Sequence, residues 1–493
     1  MSLAIRFFLR HDHGNGCQIE EESLNQVIKM NLHLEPEARR YVDGQSKICN
    51  WAYNKLLELA INLRTEFVNN QDAEVGKRLY TKRGLRNELP LLKEEFSFLK
   101  SVHSSPLKNA ALRLSEAISA YQKSRKGRRS GKPTGWPKFR SFKSKWFSLL
   151  YDEPGKGFKV DGRELILSLG VDKENRRIRV SATMESSLES FGDCNIRNLR
   201  ITCEQGRYFA VFTVSKPDPV KKSLSKIIAL DPNHKNLAYG VDNEGGAVEI
   251  SNAGFLKSLD RHIDRLKSKR DRCLRKSLRK TLEDGRTIYR PSKRWQRYDR
   301  ALRKQYLKRR DQTKCFLYTV GGKLYRHYDL VAIGNYTPKG GGINRGMRRS
   351  MNNQSLIGRL KQVLSWLAQR DGKFFEEWDE RGSTKTCHVC RAQVDYLTPD
   401  IRAWTCSSCQ TRHHRDENAA QNGLNRVLNK LNLPCSGHLE VISRCTWWFN
   451  GLGIVSMPGC VGSETSGNSE VGTALMQKLN SKRGSFGPQI VHG

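Results

Sequence analysis

Four cysteines and a few carboxylates are the residues best placed to do chemistry. Cys387-x-x-Cys390 and Cys406-x-x-Cys409 are two knuckles separated by 15 residues. That spacing lets four thiolates surround one tetrahedral Zn²⁺, with a short ribbon between the knuckles. Four protein ligands leave no open position, so such a zinc is structural rather than catalytic. His388, His413 and His414 lie close by and are read as supporting or nucleic-acid-contacting residues, not as ligands. Asp231 ends the apolar run 227–230, and Asp416 opens a helical stretch just after the second knuckle. Carboxylates at such positions can hold divalent cations that activate water and stabilise the leaving oxygen of a phosphodiester. Each also has a plainer use: a strand-end Asp caps turns, and an acid at a helix start is an N-cap.

These groups sit in a strongly basic chain. Among 493 residues there are 87 Lys and Arg against 50 Asp and Glu, a net charge of +37. A surplus of that size points to a polyanionic partner, nucleic acid first and an anionic membrane surface second. Hydrophobic residues make up 37%, enough for real cores. No run of about 20 apolar residues is present, so no membrane-spanning helix is expected. The N-terminus lacks the basic start and small-residue cleavage site of a signal peptide. Thirteen cysteines, an odd number spread over a long chain, argue against a secreted disulfide framework. A cytoplasmic protein is expected.

The charge is not evenly spread. Residues 123–145 hold ten Lys and Arg and no acid, with Trp136, Phe139 and Phe142 interleaved. Residues 257–310 hold 22 Lys and Arg against 6 Asp and Glu, a net +16. Basic side chains take backbone phosphates and aromatics stack on bases. Lys126, Arg128, Arg129, Lys138, Arg140 and Lys143 in the first segment, Arg270, Arg275 and Arg279 in the second, and Arg415 are the candidate nucleic-acid contacts. Neither segment shows the clear apolar face of a membrane-surface helix.

The elements that must position these groups follow from periodicity. A short strand fits 3–9. Apolar residues at three- and four-residue spacing (Cys49, Ala52, Leu56, Leu57, Ala60) predict helix from 35 onward, and a second helix fits 104–121. Short alternating runs at 157–160, 164–168, 177–180, 199–203 and 208–214 predict a small barrel or sandwich. Beyond 225 the pattern turns α/β: strand 227–230, a hairpin through 237–250, two basic helices broken near Asp284-Gly285 and Pro291, strand 330–333, helix 355–370, strand 374–378, the cysteines, and a helix from about Asp416. Residues 436–493 show weak periodicity and read as a disordered or loosely attached tail, with Trp447, Trp448 and Phe449 as possible docking points.

At these residues the sequence resembles the TnpB family of transposon-encoded, RNA-guided nucleases and the compact type V CRISPR effectors related to it. The matching stretches are Ile228-Ala-Leu-Asp231-Pro, Ser383-Thr-Lys-Thr-Cys387-His-Val-Cys390, Cys406-Ser-Ser-Cys409 and Arg415-Asp416-Glu-Asn418-Ala-Ala420. The resemblance implies a multidomain α+β chain: a wedge β-barrel (1–35 and 146–222) interrupted by a helical recognition insert with its basic segment (36–145), then a RuvC-like nuclease domain of RNase H fold (223–384). That domain carries the basic helical hairpin 257–310, is interrupted by a zinc-ribbon target-nucleic-acid-binding module (385–412), and closes with helix 413–435. It further implies a guide RNA, from a transposon end or a CRISPR transcript, a double-stranded DNA target with a short flanking motif, and catalytic Mg²⁺ held by Asp231 and Asp416.

One departure matters. The family's middle catalytic Glu normally ends the strand that here reads Val331-Ala332-Ile333-Gly334, and Gly cannot bind a metal. Either the chain is a nuclease-inactive, RNA-guided DNA binder acting as a repressor, or another acid fills the gap. The next strand carries Glu376, Glu377, Asp379 and Glu380. An acid at its C-terminal end would reach the same site across one strand spacing of about 4.8 Å. Glu380 is the first choice and Asp379 the second, which makes Asp231, Glu380 and Asp416 the expected catalytic set.

Overall fold

The computed structural model describes residues 23–129, 131–141, 146–274, 278–283, 287–336, 355–398, 401–434, 439–451 and 453–458. The strand expected at 3–9, the side chains of Lys143 and Arg275, the Asp284-Gly285 turn and the chain beyond 458 lie outside them. Two compact units divide the chain at Asp218/Pro219.

In the first unit, strand β1 (Ser23–His33) runs into helix α1 (Pro36–Asn70), which starts with Pro36 in its first turn. Pro suits that position, where its missing N–H costs nothing. Val42, Cys49, Leu56, Leu57 and Ala60 are buried along one face of α1. The short helices α2 (Ala73–Tyr80), α3 (Gly84–Asn87) and α4 (Leu89–Glu95) follow, then a 3₁₀ turn at Ser97–Ser101 and helix α5 (Ser104–Arg125). Strands β2 (Leu149–Tyr151), β3 (Phe158–Asp161), β4 (Glu164–Val171), β5 (Arg177–Met184), β6 (Asn195–Glu204) and β7 (Arg207–Pro217) join β1 in one antiparallel sheet of order β2-β6-β7-β1-β5-β4-β3. With β2 and β3 at its edges, the expected barrel is an open half-barrel. Its alternating inward residues and the apolar faces of α1 and α5 form one continuous core.

The second unit is built on strands β8 (Ile227–Pro232), β9 (Ala238–Asp242), β10 (Gly246–Ile250), β13 (Leu330–Gly334) and β14 (Phe374–Trp378). Helix α6 (Phe255–Leu274), a two-stranded ribbon β11 (Leu278–Thr281) and β12 (Thr287–Arg290), and helix α7 (Lys293–His327) separate β10 from β13; helix α8 (Ile357–Asp371) precedes β14. Small strands β15 (Ala403–Thr405) and β16 (Arg412–His414) lead into helix α9 (Arg415–Lys430), and β17 (Ser443–Phe449) and β18 (Ile454–Pro458) follow. The main sheet has the order β14-β13-β8-β9-β10-β17-β18, with β14, β13 and β8 mutually parallel.

Two expectations change here. The two basic helices are separated by the β11–β12 ribbon, and the second runs on to His327 rather than ending near 310. The segment read as a loose tail supplies two sheet strands: β17 pairs parallel with β10, and Arg444 clamps Glu417 of α9 with two contacts of 2.9 Å. Trp447, buried in the core with Phe449 packed beside it, is the docking point.

Burial on both faces of the sheet sets side-chain direction. Ile228, Leu230, Val331 and Ile333 pack toward α7 and α8. Ile227, Ala229, Leu330, Ala332 and Trp378 pack toward α9. Because side chains alternate along a strand, Asp231 and Gly334 continue the α9-facing rows.

Candidate functional site

β8 is buried along its whole length. Ile333 of β13 is in register with Leu230 of β8, so Gly334 and Asp231 are neighbours one step further on, at the C-terminal ends of two parallel strands. β14 continues the row: Gly334 pairs with Trp378, and Glu380 lies two residues beyond, on the same face. The alternation also sorts the other acids of this strand. Glu377 points the opposite way and pairs with Lys361 of α8 at 2.9 Å, while Glu376 is held by Lys430 of α9. Asp379 is exposed, its Oδ1 accepting the Arg381 N–H at 3.2 Å.

Glu380 fills the space that a side chain at 334 would need. A Cβ built on Gly334 falls 2.5 Å from Glu380 Cγ and 2.6 Å from its Cδ, and closer still to Oε1. Among the described residues Glu380 Oε1 is buried and has no hydrogen-bond partner. Burial, with the charge of Asp379 adding to it, pushes the Glu380 carboxyl up to about 7, against the pull of Lys361 and the Tyr336 N–H. Asp231 is 7% exposed. Burial, then the charges of Glu380 and Asp416, push it well above the usual carboxylate range, while Arg415 and Arg402 pull it down. Glu380 and Asp416 therefore both act on the poorly solvated Asp231.

Asp416 comes from the first turn of α9 and is 4% exposed. An acid suits that turn, where the helix dipole is positive. Arg402 Nη1 donates to both its oxygens, at 2.9 and 3.0 Å. Arg402, directly before β15 in the ribbon, is a residue that sequence reasoning missed. Its only linear signal was a place 14 residues before Asp416. Arg415 begins α9, and its N–H donates to the Arg402 carbonyl at 2.7 Å.

The four cysteines converge as expected. Their sulfurs all lie within 4.8 Å of one another, the one group of three or more such ligands found among the described residues. Cys387 and Cys409 are 3.6 Å apart, as are Cys390 and Cys406. That is far too long for disulfides and close to the edge of a tetrahedron with bonds of ~2.3 Å to a central zinc. The donor set fits a metal ion. His413 Nε2 stands 3.1 Å from Cys387 Sγ, and His388 bonds Asn418 through its backbone N–H and Nδ1 at 3.0 and 3.1 Å. Both histidines support the ribbon.

Two asparagines of α9 tie the ribbon to the carboxylates. Asn418 Nδ2 and Asn422 Nδ2 both donate to the carbonyls of Ser383 and Thr386, at 2.7 to 3.2 Å. The Ser383 N–H in turn donates to the Glu380 carbonyl at 3.0 Å. One turn of chain is thus fastened to Glu380 on one side, Cys387 on the other, and the helix of Asp416 beneath.

The basic residues divide. Lys126, Arg128 and Lys138 are exposed and make no ion pair among the described residues. Arg129 bonds Thr134. Arg140 is turned inward: Nε donates to Asn50 at 2.8 Å, and its guanidinium lies 4.9 Å from the Phe147 ring. It fastens the basic segment to α1 rather than standing free for phosphate. Arg270 is held by Asp271 and Asp299 within the helical hairpin. Arg279 falls in β11. Trp136 is likewise packed, 5.2 Å from Tyr121 and 4.5 Å from the Arg64 guanidinium, whereas Phe139 is 60% exposed. No helix among the described residues is long and apolar enough to cross a membrane.

Residues 358–422, from α8 through the ribbon into α9, match the family described as Cas12f1-like, TNB domain. No curated protein matches the chain. Among solved structures, the Cas12f1–sgRNA–target DNA complex aligns over 81% of this chain and 98% of that one, at 11% identity and a TM-score of 0.50. The mini RNA-guided endonuclease CRISPR-Cas_phi3 aligns over 83% of this chain and 93% of that one, at 11% identity and a TM-score of 0.37. The first of these likenesses is one of fold. Together with the matched ribbon segment, it upholds the resemblance to compact, TnpB-like type V effectors.

Proposed function

We propose that the chain is an RNA-guided DNA endonuclease that cuts phosphodiesters at a single RuvC-like site formed by Asp231, Glu380 and Asp416. The observation that carries this reading is Glu380 seated in the space left by Gly334, on the α9 face shared with Asp231. The similar Cas12f1 structure is a complex with a guide RNA and target DNA, and the same partners are taken for this chain. Base pairing would carry sequence specificity, while the protein reads a short flanking motif and duplex shape. The net charge of +37 supplies the attraction to phosphates.

The donor types fit a hard divalent cation: carboxylates on one face of the sheet, Asp231 poorly solvated, and a buried Glu380 oxygen without a partner among the described residues. Asp231, Glu380 and Asp416 would hold Mg²⁺, which when bound supplies positive charge at the scissile phosphate and an acidified water. The residues do the rest. Arg415, at the start of α9, and the positive end of that helix's dipole would favour a phosphate beside Asp416. Arg402 holds the Asp416 carboxylate in one orientation. Burial of Asp231 and Glu380 favours their protonated forms, so protons compete with a cation for these oxygens. Zn²⁺ in the four-cysteine cluster would be structural.

Cleavage of a matched plasmid by the purified protein–RNA complex tests the reading. Asp231→Ala, Asp416→Ala and Glu380→Gln should each abolish Mg²⁺-dependent cutting without loss of guided binding. Guided binding with no cutting by the native complex in any divalent metal would establish the repressor-like alternative instead. Normal cutting by Glu380→Gln would remove Glu380 from the site.

A further inference from the structure

The first unit contains a cavity of about 830 Å³ between the 3₁₀ turn at Ser97–Ser101 with the start of α5 on one side and β3 to β5 on the other. Six cations line it: Lys93, Lys100, Lys156, Lys159, Arg177 and Arg179. Glu153 is its one lining acid, and Lys108 already holds that carboxylate at 3.2 Å. Among the described residues none of the six cations has an acidic partner within ion-pair distance. Lys93 is the most telling. It is half-buried, and it bonds only the Ser104 hydroxyl, at 3.3 Å. Burial, and then the charge of Lys108, pull its ammonium below the ordinary lysine value. The other five cations are exposed around the opening, so the cleft presents an acid-free concentration of positive charge that favours an anion.

The cavity is also shaped. Val102, Ile166 and Ile178 give it an apolar wall. On its floor a β-bulge at Ser168/Gly170 places Gly170 at φ +138°, where an added Cβ would lie 2.5 Å from the Lys100 carbonyl oxygen. Only glycine lets β4 come that close to the 3₁₀ turn. The volume lies within the range of small-ligand sites, about 300–1,000 Å³. Phosphate-binding cations facing an apolar wall fit a nucleotide. A paired base stays within its stack, so a base enters such a cavity only from an unpaired strand.

We propose that this cavity holds one unstacked nucleotide of a single-stranded RNA segment, its phosphate among the six cations and its base against Val102, Ile166 and Ile178. The assignment to RNA rests on the RNA-guided reading above, in which the RNA is the strand the protein carries permanently.

Binding of the full chain to a labelled, unstructured 20-nucleotide RNA, and to the same sequence as single-stranded DNA, tests it. Lys159→Ala/Arg177→Ala should weaken RNA binding by about tenfold and lower the salt slope of log K by ~1.4, two phosphate contacts at ~0.7 each. Ile166→Trp fills the cavity and removes no charge. It should weaken RNA binding by about fivefold with the slope unchanged, because no phosphate-binding cation is removed. Ile178→Phe repeats the test with a smaller plug should the Trp variant not fold. Lys82→Ala/Arg83→Ala, exposed cations outside the cavity, should change RNA affinity by less than about twofold. Native-like RNA binding by the folded plug variants would overturn the proposal, as would a plug that weakens DNA binding and leaves RNA binding unchanged. If the native chain binds no RNA, the RNA-guided reading itself fails; if it does and the variants match it, the cavity assignment alone fails.

Discussion

Glu380 and Gly334 exclude one another: the carboxyl of the first occupies the place where the second would carry its Cβ, 2.5 Å from Glu380 Cγ. The glycine is therefore the condition under which an acid from β14's end reaches the same face as Asp231. Gly334→Ala should drive Glu380 out and lower cleavage by about 10²-fold or more, the scale of losing one preorganised group. Gly334→Glu should also be inactive, because two side chains compete for one space. Gly334→Glu/Glu380→Ala should recover activity well above either single variant, measured as single-turnover plasmid cleavage. Full activity in Gly334→Ala would sink the relationship.

The raised carboxyls make the site sensitive to pH. Glu380 titrates near 7 and Asp231 well above the usual range, so protons compete with the cation below neutrality. The Mg²⁺ concentration for half-maximal cleavage should fall by about tenfold per pH unit between 6 and 7, then level off. Stability moves the other way. With a folded-state pKa above the unfolded value, the native state binds more protons between about 4.5 and 7, so metal-free stability falls as pH rises through that window. Glu380→Gln should flatten part of that fall in melting temperature. A melting curve of equal slope in both proteins would contradict the assignment.

Arg402 sits on Asp416 where a cation would otherwise compensate the charge. Without it, the buried Asp416 carboxylate loses the two hydrogen bonds that Arg402 donates. Arg402→Ala should cost the metal-free protein about 2 kcal/mol, less than a fully buried pair because the guanidinium is partly exposed. Added Mg²⁺ should then stabilise the variant more than the native chain, since no guanidinium has to give way. Equal Mg²⁺-induced shifts in melting temperature would show that Arg402 and the cation do not share Asp416.

Asn418 and Asn422 couple the ribbon to the carboxylates through the Ser383 and Thr386 carbonyls. Asn418→Ala leaves the two carbonyls with the Asn422 amide alone and strands the His388 N–H, at a cost of about 1–3 kcal/mol. It should also raise the Mg²⁺ requirement, because the turn bearing Glu380 loses its anchor. Stripping the cysteine cluster with a zinc-selective chelator should abolish cleavage in a way that Mg²⁺ alone does not restore, with one equivalent of zinc released. Retained cleavage after complete zinc release would uncouple ribbon and site.

Much of this was legible in the linear sequence, for reasons that are local. Cysteine spacing defines a ribbon whatever surrounds it, because chelation needs only two tight turns. Helical and alternating periods marked α1, α5 and β8, and the run of buried positions leading to Asp231 marked the strand that presents it. Glu380 was chosen there by its place at a strand end. Only the tertiary structure supplied the reason: the sheet is buried on both faces, so alternation sends Glu377 to α8 and Glu380 to α9. Arg402, the inward turn of Arg140 and the pairing of β17 with β10 were hidden for the opposite reason. Each depends on a partner distant in sequence, Asp416, Asn50 or Glu417, and a linear pattern carries no record of which charge will be buried beside which. Charge and spacing pointed to a chain that handles nucleic acid and to four cysteines able to hold one metal ion; packing decided that Glu380 fills the space at Gly334.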